Sequence, residues 1–515
     1  MNRERAVIIG AGMGGLSAAI SLAREGYAVT VLERAPCAGG KMREVEVGDA
    51  RIDAGPTVLT MRWVFDALFE SAGARLDDYV AQRKLPILAR HAWSGGAQLD
   101  LFADEAASAD AIGVFAGAAE ARGYLNFCHE ARRMYETLRE PFLTASKPNP
   151  LTLTSRVGLA RLGELFAIRP FDTMWKALGV HFRDQRLRQL FGRYATYCGS
   201  SPFDAPATLM LIAHVEQDGV WIVEGGMQRL AEALKACAEK LGVTFRFTAD
   251  VCQIEAKAGR VSGVRLRDGE RIEANAVVCN ADPGALAAGL FGDDAKQSVS
   301  TSNAKRSLSA VTWAGQAKTR GFPLVRHNVF FSDDYAAEFQ ALERSLPSDP
   351  TIYICAQDRE DHGVANGPER LLVLANAPAH GDARPFTAAE LDACETNMFN
   401  RLQRCGLELA PSAMVRTTPT DFNALFPATG GALYGRATHG WAASFQRPGS
   451  RTKIPGLYLA GGGVHPGAGV PMAALSGQQA AQSILADRAS TRRSRPAAVT
   501  PGGTSTHSAM TNSTA

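Results

Sequence analysis

Two kinds of apolar pattern alternate along the chain. Short unbroken runs such as "AVII" at 6–9 and "AVTVL" at 28–32 predict strands buried on both faces. Between them, "GAGMGGLSAAISLAREG" spaces Leu16, Ala19, Ile20 and Ala23 three and four apart, which predicts a helix packed by one face. A strand, a helix and a strand in that order predict the opening unit of a parallel sheet. The same pairing of run and helix recurs near the C-terminal end, where "GLYLAGGG" precedes Pro471 and "MAALSGQQAAQSILAD".

In the middle, Gly225 and Gly226 precede an amphipathic helix with Leu230, Leu234 and Leu241. It is followed by "TFRFTADVCQIEAKAGRVSGVRLRDGERIEANAVVCNADP", strand-like runs broken by Ala-Gly-Arg and Asp-Gly turns. Two stretches separate these segments, about 71–215 and 291–439, and both are too long for loops. The first is mostly helical in pattern, as in "RLGELFAIRPFDTMWKALGVHF" and "PATLMLIAHVE". The second mixes the strand-like "HNVFF" and "TIYIC" with a helix near 387–404. The expected organisation is an α/β nucleotide-binding domain from 1–70, 216–290 and 440–487, interleaved with an α+β domain from 71–215 and 291–439. The ligand cleft is expected between them.

The first strand-to-helix turn carries chemistry. Gly10, Gly12 and Gly15 have GxGxxG spacing: the first allows the turn, the second lets backbone approach a pyrophosphate, and the third lets helix and strand pack closely. The second strand ends in Glu33, placed to accept hydrogen bonds from a ribose 2′-hydroxyl, so a dinucleotide is expected and NADP is disfavoured. The late glycine junction has no second strand with an acidic end. It is therefore expected to return to the first sheet and aim its helix N-terminus, with about half a positive charge, at the same cofactor.

Composition narrows the classes. The 515 residues are 46% hydrophobic with a net charge of +3, enough for a large core and too nearly neutral to suggest nucleic acid. Arg488, Arg492, Arg493 and Arg495 fall in a Ser/Thr/Pro/Gly-rich segment, 488–515, expected to be a disordered tail. The nine cysteines show no CxxC and no clustering with histidine, so neither a disulfide framework nor a metal site is indicated. A cytoplasmic chain is expected, and no apolar stretch approaches the ~18 residues of a membrane span. No GxSxG or HExxH occurs. Among the ten histidines, His465 beside the late glycines is the one candidate proton acceptor or cofactor-tuning group.

"APCAGGKMREVEVGDARIDAGPTVLT" places Gly39 and Gly40 after the acidic strand end. It resembles the GGR-type element of the flavoproteins that include amine oxidases, protoporphyrinogen oxidases and carotenoid desaturases, with Lys41 where arginine is usual. "DAGPTVLTMRWVFDALFE", "RHAWSGGAQLDLF", "QLFGRYATYCGSSP", "VEQDGVWIVEGGM", "HNVFFSDDYAAEF" and "GGGVHPGAGVPMAALSGQQAA" resemble the bacterial carotenoid desaturases of the phytoene desaturase type over nearly all of 6–485. The first four resemble the branch acting on acyclic 1-hydroxy or 1-methoxy carotenoids, such as 1-hydroxyneurosporene, in spheroidene and spirilloxanthin synthesis.

The resemblance implies a Rossmann-like FAD domain of the amine oxidase and GDP-dissociation-inhibitor type. It implies FAD contacts at Gly10, Gly12, Met13, Gly14, Gly15, Glu33, Gly40, Lys41, Thr57, Val251, Gly462, Gly463, Val470, Pro471 and Met472, with Asp282 behind them. It also implies 3,4-desaturation, loss of a hydride from C4 and a proton from C3, an oxygen or quinone as electron acceptor, and peripheral contact with the inner photosynthetic membrane. The helical first insertion is the expected contact surface. Alternatives are desaturation at other positions, an amine or porphyrinogen oxidase, and a non-catalytic binder of prenyl groups.

Overall fold

In the computed structural model, which describes residues 3–158, 163, 168–300, 305–359 and 367–493, the first apolar run forms β1 (Arg5–Ile9). It leads into α1 (Met13–Arg24) and β2 (Ala28–Leu32). The strands β3 (Thr244–Arg246), β4 (Ala276–Cys279) and β5 (Leu457–Leu459) complete a parallel sheet in the order β5-β4-β1-β2-β3. The missing polar alternation now has its cause. Ala6 and Ile8 point into the core shared with α1, while Val7 and Ile9 point into a second core with Ile254, Val261 and Val264. Those last three belong to an antiparallel meander, Val251–Lys257, Arg260–Leu266 and Arg271–Glu273, covering the opposite face.

As expected from the sequence, the late strand returns to the first sheet, where β5 pairs with β4 through Val277–Leu457, Val278–Tyr458 and Cys279–Leu459. The helix that follows, α2 (Val470–Arg493), lies against α1. A methyl group on Gly477 would sit 2.1 Å from the Gly14 carbonyl oxygen, and one on Gly15 would sit 2.0 Å from the Gly10 carbonyl oxygen. The small residues in both helices thus set the backbone separation.

A seven-stranded sheet forms the second layer, in the order Leu407–Thr417, Ser309–Gly321, Glu369–Ala377, Ile352–Ala356, His327–Phe330, Ile87–Ala92 and Gln98–Phe102. The stretch 71–215 is mostly helical, as its pattern predicts, but it also contributes strands that the pattern did not show. Its hairpin 87–102 joins the sheet of the second insertion, with Asn328 in register with Arg90. Five of the six residues of Ile87–Ala92 are buried, so it shows no period of two and cannot be told from a helical fragment by pattern. Helical segments do make up much of the remaining insertion, among them Ala118–Leu138, Met174–His181 and Leu211–Asp218. The helix expected near 387–404 is Ala388–Arg404, started by a capping box between Thr387 and Glu390.

The tail expectation also shifts. Residues 488–493 continue α2, held where Arg488 pairs with Glu4 at 2.9 Å and lies 5.2 Å from the centre of the Tyr27 ring. The rest of the expected tail, 494–515, lies outside the described residues.

The α1–α2 contact makes a direct prediction. Gly477→Ala should cost about 1–3 kcal/mol, the range for overfilling a close-packed site, and lower the urea midpoint. A wild-type midpoint would contradict the contact.

Candidate cofactor and substrate cavity

The two glycine junctions are one site. Asn280, at the end of β4, stands between them: its Nδ2 donates to the Gly10 carbonyl at 3.4 Å, and methyl groups on Gly14 and Gly461 would lie 2.6 Å and 3.0 Å from its Oδ1. The Gly461 N–H donates to the Ser476 hydroxyl at 2.7 Å, tying the late loop to its own helix. The Gly39–Gly40 element closes the other side, with the Gly39 N–H donating to the Ala11 carbonyl at 2.9 Å. The sequence alone singled out Asp282, two residues further on, and not Asn280.

All these loops border one cavity of about 1200 Å³. That exceeds the ~300–1,000 Å³ of a pocket for a single small ligand. It is bordered by Gly10, Gly12, Met13, Gly14, Glu33, Gly40, Lys41, Thr57 and Val251, and at its other loop by Gly462, Gly463, Val470, Pro471 and Met472. Of the residues expected at the cofactor, Gly15 and His465 are not on its wall. Gly15 lies on the packing side of α1, where its missing side chain admits the Gly10 carbonyl.

His465 requires a correction. Its ring is 1% exposed, and Nε2 donates to the carbonyls of Phe142 at 3.0 Å and Ala145 at 3.2 Å. Burial pushes its pKa down to about 4, so the ring is neutral near pH 7. It clips the late glycine loop to the turn Arg139–Thr144 of the first insertion, behind the wall. Nothing in a lone histidine next to glycines distinguishes that place from one facing the cofactor.

A flavin dinucleotide fits the groups present. Glu33 accepts from the N–H of Ala11 at 2.6 Å and of Ala35 at 2.7 Å, one on each carboxylate oxygen, and each oxygen keeps a lone pair for a ribose hydroxyl. The first turn of α1 holds no acidic residue, so its N–H groups stay attractive to an anion. Lys41 is half-buried and donates to the Leu433 carbonyl at 2.6 Å; desolvation lowers its pKa, the Asp282 carboxylate opposes that, and the Arg447 charge adds to it. Arg447, which sequence reading did not consider, donates to the carbonyls of Tyr434, Gly462 and Arg436, each at 2.9 Å. It thereby holds the 434–436 segment against the late glycines.

Beyond the glycines the wall turns apolar, with Leu138, Phe142, Leu143, Leu153 and Ile168 from the first insertion. The carboxylates among the described lining residues are Glu33 after β2, Asp250 before the meander strand Val251–Lys257 and Asp282 after β4. Phe171 and Trp441 also border the cavity; they are 71% and 49% exposed, with ring centres 5.7 Å apart, and mark a mouth. Among the described residues no helix is long and apolar enough to cross a membrane.

Comparison with known proteins agrees with this architecture. The family model for flavin containing amine oxidoreductase matches residues 13–485. Hydroxyneurosporene desaturase of Rubrivivax gelatinosus is 51% identical over 518 residues, covering 99% of this chain and 98% of that protein. The protein of the same name from Cereibacter sphaeroides is 45% identical, covering 95% and 99%. 4,4'-Diaponeurosporene oxygenase of Staphylococcus haemolyticus is 30% identical, covering 94% and 98%. Among solved structures, putrescine oxidase bound to putrescine has the same fold, with a TM-score of 0.61 at 15% identity over 94% of this chain and 99% of that one. The chain belongs to the flavin containing amine oxidoreductase family and groups within it beside the hydroxyneurosporene desaturases.

Proposed function

We propose that this protein is an FAD-dependent carotenoid desaturase that introduces a C3,4 double bond into an acyclic carotenoid bearing a 1-hydroxyl group. The observation that carries this reading is one cavity that the glycine loops border at one end and that is largely apolar beyond them. A charged amine would be held best beside a carboxylate, and the carboxylates among the described lining residues, Glu33, Asp250 and Asp282, all lie at the glycine-loop end. A polyene needs only shape and dryness, which Leu138, Phe142, Leu143, Leu153 and Ile168 supply.

When bound, FAD supplies the two-electron oxidising power. Gly10, Gly12, Met13 and Gly14 with the N-terminus of α1 would hold its pyrophosphate, Glu33 its ribose, and Val251 its adenine end. Gly462, Gly463, Val470, Pro471 and Met472 with the N-terminus of α2 would border its ring system, where positive partial charge would favour electron gain. Lys41 donates to the Leu433 carbonyl near this end. The apolar walls keep water from the allylic carbon and align C3 and C4. His465 positions the late loop through its bonds to Phe142 and Ala145.

Substrate enters from a membrane surface. Phe171 and Trp441 at the mouth are amphipathic-interface residues in kind, and the adjoining helical insertion contacts lipid peripherally at the cytoplasmic face of the inner membrane. Electrons leave to oxygen or a quinone, told apart by whether anaerobic turnover returns on adding a quinone.

Holoenzyme given 1-hydroxyneurosporene should form a product with one more conjugated double bond, seen as a red-shifted absorption maximum; an unchanged spectrum would refute the reading. Glu33→Ala should weaken FAD binding about 10- to 100-fold, measured by flavin fluorescence titration, because charge-assisted hydrogen bonds to the ribose are lost. Phe171→Ser with Trp441→Ser should slow desaturation of liposome-borne substrate far more than of detergent-solubilised substrate. Equal slowing in both would place lipid contact elsewhere.

A further inference from the structure

Where the wall turns apolar, one strongly polar cluster stays buried and belongs to neither the cofactor loops nor the clip. Arg193, which follows the helix Gln185–Gly192, borders the cavity yet is only 8% exposed. Its Nη1 lies 3.4 Å from the Tyr197 hydroxyl and its Nη2 lies 4.0 Å from Glu216, while its buried Nε has no hydrogen-bond partner. Glu216 is 3% exposed and receives hydrogen bonds from Tyr194, at 2.6 Å, and from Tyr197.

This wiring sets the polarity each group offers. The Tyr197 proton is committed to Glu216, so its oxygen can only accept a further hydrogen bond. Arg193 can only donate, and part of its donor set is unused. A ligand group satisfying both must accept one hydrogen bond and donate another, which an alcohol does, an ether does by half, and a hydrocarbon end does not.

The location suits a group near the reacting carbons. Val58, Arg193, Tyr197 and Tyr353 line both the main cavity and a side chamber of about 10 Å³, roughly the size of one water. Tyr353 Oη is 2.7 Å from the Thr57 hydroxyl, on the wall assigned above to the cofactor, and 2.7 Å from His327 Nδ1. C1 and C4 of the substrate are three bonds apart, about 4 Å. A reader of C1 must therefore sit close to the residues that border the cofactor, as this cluster does.

We propose that Arg193 and Tyr197 bind the C1 hydroxyl of the carotenoid and set the preference for a hydroxylated end over a methoxylated or hydrocarbon one. The proposal rests on the carotenoid reading above and adds which residues read the end group and in which order the ends are ranked. Leaving a buried arginine and phenol oxygen unpaired is what rejects the hydrocarbon.

The test compares 1-hydroxyneurosporene, its 1-methoxy ether and neurosporene on holoenzyme. It measures kcat and KM, and equilibrium binding to dithionite-reduced enzyme, which binds without turning over. Wild type should favour the alcohol over neurosporene by about 100-fold or more in kcat/KM, with the ether between. Tyr197→Phe should cut the alcohol-to-neurosporene ratio about tenfold, chiefly through KM and Kd. Arg193→Lys keeps a charge beside Glu216 but withdraws the fork, and should cut the same ratio; it carries the test if Tyr197→Phe does not fold. Wild type that desaturates the alcohol and neurosporene equally well, or variants that keep the full ratio, would overturn the proposal. Desaturation of none of the three by wild type would instead refute the carotenoid reading itself.

Discussion

The approach of α2 to α1 at glycine-limited distance is the constraint on which the molecule depends. With Gly477 against the Gly14 carbonyl, two helix N-termini from opposite ends of the chain converge, and Asn280 fills the gap between their loops. Any larger side chain would separate the helices and splay the two loops. The late glycine loop therefore borders the same cavity as the first rather than a separate one. Its free N–H groups and its partial positive charge are useful because the sheet order places β5 beside β4, next to β1.

Around that convergence the protein buries cations where it needs fixed geometry. Lys41 and Arg447 spend their donors on the carbonyls of Leu433, Tyr434, Arg436 and Gly462, so charge and backbone are held together. Both feel the cost of burial, with pKa values displaced downward, and both have Asp282 nearby to offset it. His465 does a related job without charge, joining the late loop to the first insertion through two carbonyls. The late glycine loop, the 433–436 segment and the turn Arg139–Thr144 thus meet through polar links beside a cavity wall lined by Leu138, Phe142, Leu143, Leu153 and Ile168.

The cluster of Arg193, Tyr194, Tyr197 and Glu216 is different in kind. Its burial works against the arginine's charge, yet Tyr197, Glu216 and Tyr194 hold its pKa above the ordinary arginine value. A core gains little from such an arrangement, since well-packed apolar residues would stabilise it as well or better. Its position on the cavity wall gives it a use that a purely structural role does not.

Much was legible from residue order alone. Gly10, Gly12, Gly15 and Glu33 determine the turn between β1 and α1 and its bond to the end of β2, because each depends on backbone freedom or charge within one βαβ unit, and local spacing encodes that. The apolar runs determine β1, β2, β4 and β5, and the capping pair Thr387 and Glu390 marks its helix. Tertiary structure alone decided the rest. The hairpin 87–102 became strand because its partner, His327–Phe330, lies over 200 residues away, and pairing at that distance leaves no local period. His465 faced carbonyls rather than the cavity, and Asn280, Arg447, Arg193 and Glu216 gained meaning only from neighbours that folding brought to them. A residue's type and spacing state what chemistry it can do; which group it does it to depends on contacts across the chain that no short stretch contains.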